Sequence, residues 1–395
     1  MIMKLPRAAA VAIVSLSSLS SMVRASTVKV ATCADWETAV DATLTKDTTA
    51  IVAASSFKAA DCGESNVKTL EVKNNHLRVE SDVASLSLLQ FLDIRFEVTN
   101  NAKLTFAINA EFTLSEDEEP EVNGGFLLIE NGSTAHFLEK LEVTGFRVMC
   151  SIDGDFCEEI FDGGCLWNEG YFRVDGHATF TDCDNEKTGD AAPGLGGAIF
   201  NGGSGSILFQ SGVTMQNMFF NDIGNDNAAI YNAGKINIKG DSLFQDIVAD
   251  NFDEAEAGAA IFNEDGAQIN FKSNAAAEFI ECRGTERGAG AVRNKGHFRF
   301  SGPATFSQCG SAIYNVAPGN MWLSDGSLFS QNFEEGPFAG GAITNLAGAT
   351  LDLPDDIKFS GNAVVESPSC ENIYFQESEG TGQIEYENEV FTCGP

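Results

Sequence analysis

Four histidines, several carboxylate-dense loops, a short run of arginines and ten cysteines carry whatever chemistry this 395-residue chain performs. His76, His136, His177 and His297 fall at different places in the chain's repeat, so they are not expected to build one site. Asp175-Gly176-His177 has the residue types of a hydrolase centre, but Asp-Gly is an ordinary turn sequence and is read as one. Carboxylates crowd two loops above all: Asp153, Asp155 and Glu158 in one, Asp250, Asp253, Glu254 and Glu256 in the other. Like charges so placed repel one another and disfavour ionisation, which a divalent cation relieves. Oxygen ligands with loose spacing suit calcium, held weakly because neither loop has EF-hand spacing. Arg283, Arg287 and Arg293 follow the second loop and form the one basic–acidic cluster that could act on a substrate.

The cysteines sit as Cys33 and Cys62, a central group (Cys150, Cys157, Cys165, Cys183), the pair Cys282 and Cys309, and Cys370 with Cys393. No CxxC occurs, which disfavours zinc and favours disulfides. Cys33–Cys62, Cys282–Cys309 and Cys370–Cys393 are the expected bridges; the central four stay open among three connectivities. Asn131-Gly132-Ser133 is the only Asn-x-Ser/Thr sequence with a permitted middle residue.

The elements that must hold these residues follow from a repeat. Gly196-Gly197-Ala198-Ile199-Phe200-Asn201 recurs in variants ending at Asn168, Asn232, Asn263, Asn294, Asn315 and Asn345, and its aliphatic-x-Asn core appears earlier at Asn74, Asn100 and Asn131. The steps between these asparagines are 26, 31, 37, 33, 31, 31, 31, 21 and 30 residues, a solenoid period. Behind each Asn comes a strictly alternating unit such as Lys235-Ile236-Asn237-Ile238, then a Phe with Cys or Asn three residues on. Three short strands per repeat describe one coil of a parallel β-helix, here of about ten coils. Equivalent asparagines from Asn100 through Asn345 are expected to point inward and bond along the axis, because an amide both donates and accepts. On that register Asn131 is inward too, and its glycosylation is expected to be low. The slot before each Asn holds Trp167, Phe200, Tyr231, Phe262, Arg293, Tyr314 and Thr344, a row that could stack sugars or simply stiffen the sheet.

By its Gly-Gly-Ala-Ile motifs alternating with Phe-x-x-Asn (Phe329 to Asn332, Phe359 to Asn362), the chain resembles the repeats of chlamydial polymorphic outer membrane proteins. More broadly it resembles the pectin-lyase-like right-handed β-helix superfamily. The first resemblance implies adhesion at a cell surface; the second implies polysaccharide cleavage or epimerisation. Neither a Gly-His-Gly motif nor an Arg-Pro-rich one is present to carry a catalytic residue over.

Residues 1–25 read as a secretory signal, with Lys4 and Arg7 before an apolar run too short to span a membrane. Residues 26–69, including a helix from Ala34 to Ala42, read as an N-terminal cap, 70–362 as the β-helix and 363–395 as a C-terminal cap. Losing the signal removes three cations and no acid, taking the net charge from −33 to −36. That balance argues against nucleic acid and membrane insertion. The sequence therefore predicts an extracellular, non-catalytic β-helix that contacts polysaccharide or a cell-surface glycan. A polysaccharide lyase, hydrolase or epimerase is the alternative.

Overall fold

A computed structural model describes residues 25–63, 67–83, 86–115, 125–150, 163–187, 196–221, 228–250, 260–273, 275–284, 289–334, 341–364 and 373–375. The chain winds as a right-handed parallel β-helix whose three long sheets hold 11, 12 and 11 strands. Each coil contributes one strand to each sheet: Ile230–Asn232 to the first, Lys235–Ile238 to the second and Ser242–Asp250 to the third. Alternation decides what faces in. In Lys235–Ile238 the two isoleucines are buried and the other two residues face out.

The winding starts before residue 70. Ser26–Val30 and Thr48–Val52 already pair in the second sheet, Ser56–Lys58 opens the third, and the helix Cys33–Ala42 is inserted between the first two strands. Its Trp36 is fully buried against Phe57, Phe91 and Phe96, closing the apolar end of the coil stack. The winding also passes residue 362, because Ile373–Phe375 adds a strand to the first sheet.

Corners make the coils possible. Two residues after the inward apolar residue of the third strand, the backbone turns left-handed at Asp182, Asn217, Asp246, Glu281, Gln308, Gln331 and Gly361, with φ between 52° and 68°. At the opposite corner Gly196 sits at φ +69°, where a Cβ would lie 2.4 Å from the Ile199 carbonyl oxygen. Only glycine fits there. Inside, phenylalanines stack coil upon coil: Phe244, Phe279, Phe306 and Phe329 lie 4.7–4.8 Å apart, the spacing of hydrogen-bonded strands.

The asparagine ladder is shorter than the repeat spacing predicts. Asn168 Nδ2 donates to Asn201 Oδ1, and the chain continues through Asn232, Asn263, Asn294, Asn315 and Asn345 at 2.6–2.8 Å. Asn100 and Asn131 are exposed turn residues. Cα pairing runs Val72–Val98–Ile129–Asn168, so aliphatic residues fill the ladder position in the early coils. Ile129 offers no donor, and Asn168 Oδ1 is left buried without a partner among the described residues. A second, two-membered ladder lies at the third-sheet corner: Asn332 Nδ2 donates to Asn362 Oδ1 at 3.0 Å, and Asn332 Oδ1 accepts from the Cys309 amide.

Candidate functional site

Cys33–Cys62 is bonded, pinning the inserted helix to the first corner, and Cys165 bonds Cys183. Cys282 and Cys309 are free. They occupy equivalent corner positions on consecutive coils, as Phe279 pairs with Phe306. Residues directly stacked on parallel strands keep parallel side chains at the strand spacing of about 4.8 Å, wider than the Cβ separation of about 3.8 Å that a bridge needs. Each thiol instead points to backbone carbonyls, Cys309 Sγ to those of Phe279 and Ser307 at 3.5 Å. Cys157, Cys370 and Cys393 lie outside the described residues, as do Asp153, Asp155, Glu158, Asp253, Glu254, Glu256 and Arg287; Asp250 closes a described strand. Among the described residues no group of three or more His, Cys, Asp or Glu is placed to hold a metal ion.

The aromatic row is largely closed to solvent. Trp167, Phe200, Tyr231 and Phe262 do stack on the outer side of the first sheet, with ring centroids 6.0, 5.7 and 5.3 Å apart and planes within 16°. Yet Phe200, Tyr231 and Phe262 are buried. Arg293 is buried as well, its guanidinium 5.1 Å over the Phe262 ring, so this member of the expected arginine cluster is closed to a substrate, whereas Arg283 is exposed. Ring faces occupied by other rings stabilise the sheet.

The second sheet is different: its outer side faces solvent. Two registered rows run along it. One reads Arg78, Thr105, His136, Arg173, Leu208, Asn237, Asn270, Arg299, Trp322, Asp352, and the other His76, Lys103, Thr134, Tyr171, Ser206, Lys235, Gln268, His297, Asn320, Thr350. Against 57 acids and 24 Lys and Arg in the whole chain, these rows hold five Lys or Arg and a single acid, Asp352, on the last strand. Lys103, Lys235, Gln268, His297 and Arg299 are exposed. Among the described residues no carboxylate pairs with Lys103, Lys235 or Arg299. The His297 and Trp322 rings stack at 6.2 Å beside Arg299.

Nearer the N-terminal end the rows are more tightly bonded. Arg78 Nε donates to Glu80, and Arg173 Nε donates to Asp175 Oδ1 at 2.6 Å while His136 Nε2 meets Asp175 Oδ2 at 2.8 Å. Burial raises the Asp175 carboxyl's pKa, but hydrogen bonds from Arg173 and His136, with their charges, outweigh it and hold the group below its ordinary range. His76 is pushed down by burial and by Lys103, so it is neutral at pH 7, bonded to Thr105 Oγ1. His177 serves a corner, its ring nitrogens meeting the Ser211 carbonyl and Thr214 Oγ1. Thus three of the four imidazoles share one sheet face, which spacing in the repeat did not indicate. The signal was present in the sequence as the outward residues of Tyr171-Phe172-Arg173, Lys235-Ile236-Asn237 and His297-Phe298-Arg299.

Comparison with protein-family models, with curated proteins and with solved structures found no match. Among the described residues no helix is long and apolar enough to cross a membrane.

Proposed function

We propose that this is an exported, non-catalytic β-helix that binds extracellular polysaccharide along the outer face of its second sheet, with acidic polymers as its ligands. The observation that carries this is charge segregation: in an acid-rich chain two registered rows hold five cations and one acid, Asp352 on the last strand, beside amides and the Trp322–His297 pair. A flat sheet with periodic donors fits an extended polymer, and cations beside hydroxyl- and amide-bearing neighbours suit carboxylated or sulfated sugars. The Cys33–Cys62 and Cys165–Cys183 disulfides support an oxidising compartment. The Gly-Gly-Ala-Ile and Phe-x-x-Asn repeats, similar to those of surface adhesins, agree with contact rather than turnover.

The test is binding of polygalacturonate, a sulfated galactan and neutral dextran to the wild type and to Lys235→Glu/Arg299→Glu. An exposed charge pair contributes about 0.2–1 kcal/mol. Removing two attractions and adding two repulsions therefore weakens the acidic polymers about tenfold, with dextran unbound throughout. Acidic polymers that bind both proteins equally, or bind neither, refute the proposal. The Asp175–His136–Arg173 cluster favours a second reading, cleavage of the same polymer, and new reducing ends or unsaturated products in these mixtures would establish it instead.

A further inference from the structure

The exposed turn at Asn131 is an acceptor for an N-linked glycan, we infer, on a chain exported as proposed above. Three observations meet there. Ile129, not Asn131, occupies the inward ladder register, and Asn131 stands exposed in the turn between Leu127–Ile129 and Thr134–Phe137. Gly132 makes the turn at φ +80°, a left-handed conformation that favours glycine as the middle residue of the acceptor sequence. Ser133 is 1% exposed, and its hydroxyl has no hydrogen-bond partner among the described residues.

That hydroxyl is the informative atom. A buried polar group without a partner costs free energy and calls for another role. Glycan transfer supplies one, because acceptor recognition requires a hydroxyl two residues beyond the Asn. In the transfer the Asn131 carboxamide nitrogen bonds the anomeric carbon of a lipid-linked oligosaccharide. The carbon–oxygen bond to diphosphate breaks, polyprenyl diphosphate departs, and one amide proton is lost. Since Ser133 is enclosed once the coil closes, transfer precedes folding, and the finished coil accepts the sugar because Asn131 projects to solvent. The ladder asparagines, all buried, have no such freedom.

The experiment is secretion of the full chain from a eukaryotic cell, once with its own first 25 residues and once with a strong foreign leader, followed by glycopeptide mapping with and without endoglycosidase. Occupied Asn131 in most secreted molecules is expected, abolished by Asn131→Gln and by Ser133→Ala. Ser133→Ala should melt no lower than wild type after deglycosylation, because it removes an unsatisfied hydroxyl and nothing else. Failure of the native leader alone, with Asn131 occupied behind the foreign one, overturns export and supports the acceptor. Secretion behind either leader with Asn131 unmodified overturns the acceptor and leaves export standing.

Discussion

Replacing Asn232 and Asn131 by alanine in separate variants distinguishes a repeat register read from spacing from the register the coils adopt. Asn232 Oδ1 accepts from Asn201 Nδ2 at 2.6 Å and from the Gly234 amide at 3.2 Å, and its Nδ2 donates to Asn263 Oδ1 at 2.8 Å. Asn232→Ala removes two ladder bonds, each contributing about 1 kcal/mol net. It also strands Asn263 Oδ1 in the core, at about 1–3 kcal/mol for an unsatisfied buried group. The expected loss is therefore about 3–5 kcal/mol. Asn131, exposed and outside the ladder, should change stability by no more than about 0.5 kcal/mol. Coils contact only their neighbours, so the loss is local before it is global. Urea titration followed by circular dichroism should be paired with hydrogen exchange resolved to the coils around residues 201–263. Bacterial expression keeps glycosylation out of the comparison. An Asn131→Ala variant as damaged as Asn232→Ala would refute the pairing of Ile129 with Asn168.

Two further outcomes follow from buried groups. Cys282 and Cys309 should resist alkylation in the folded protein at pH 8 and react once unfolded, because burial pushes the Cys282 thiol well up. A group whose folded pKa lies above its unfolded one lends stability that is intact below about pH 8.5 and is lost as pH rises beyond it; a Cys282–Cys309 disulfide peptide would contradict the stacked-thiol account. Phe262→Ala should lower stability by about 3–5 kcal/mol and leave acidic-polymer affinity unchanged, since its ring lies between Tyr231 and Arg293; lost affinity in a folded variant would make the row a binding site.

What the sequence made legible, and what it did not, follows from the period of a strand. Alternation fixes which residues face in, so the coil architecture, the inserted helix and the ladder from Asn168 onward are readable from spacing. A slip of one residue would invert every side chain, but a slip of two preserves the buried face. Matching Val98-Thr99-Asn100 to Ile199-Phe200-Asn201 makes that two-residue error: the structure aligns Phe96-Glu97-Val98 with them instead. The same slip placed Asn131 inward. Cys282 and Cys309 were correctly stacked, but stacking distance alone does not orient two Cβ vectors toward each other. The binding face escaped notice because it exists only across coils. Arg173 and Arg299 are 126 positions apart and fall in one row only once every intervening strand is registered.

A basic strip on so acidic a protein has a consequence for how it meets a polyanion. The inward positions of the second sheet serve the core, so alternation lets its outer residues be chosen for contact, and there cations outnumber acids although acids prevail in the chain. At about 0.01 M salt the screening length is about 30 Å, and an approaching polymer feels the whole negative molecule, which repels it. At about 0.15 M the length falls to about 8 Å, and the polymer over the strip feels mainly Lys103, Lys235, Arg299 and their neighbours. Near 1 M even those contacts are screened. Affinity for polygalacturonate should therefore rise and then fall with salt, peaking at intermediate ionic strength, and Lys235→Glu/Arg299→Glu should flatten the peak. A monotonic fall from the lowest salt onward would mean that the net charge of the chain does not reach the strip, and that acids and cations are less segregated in solution than the sheet register places them.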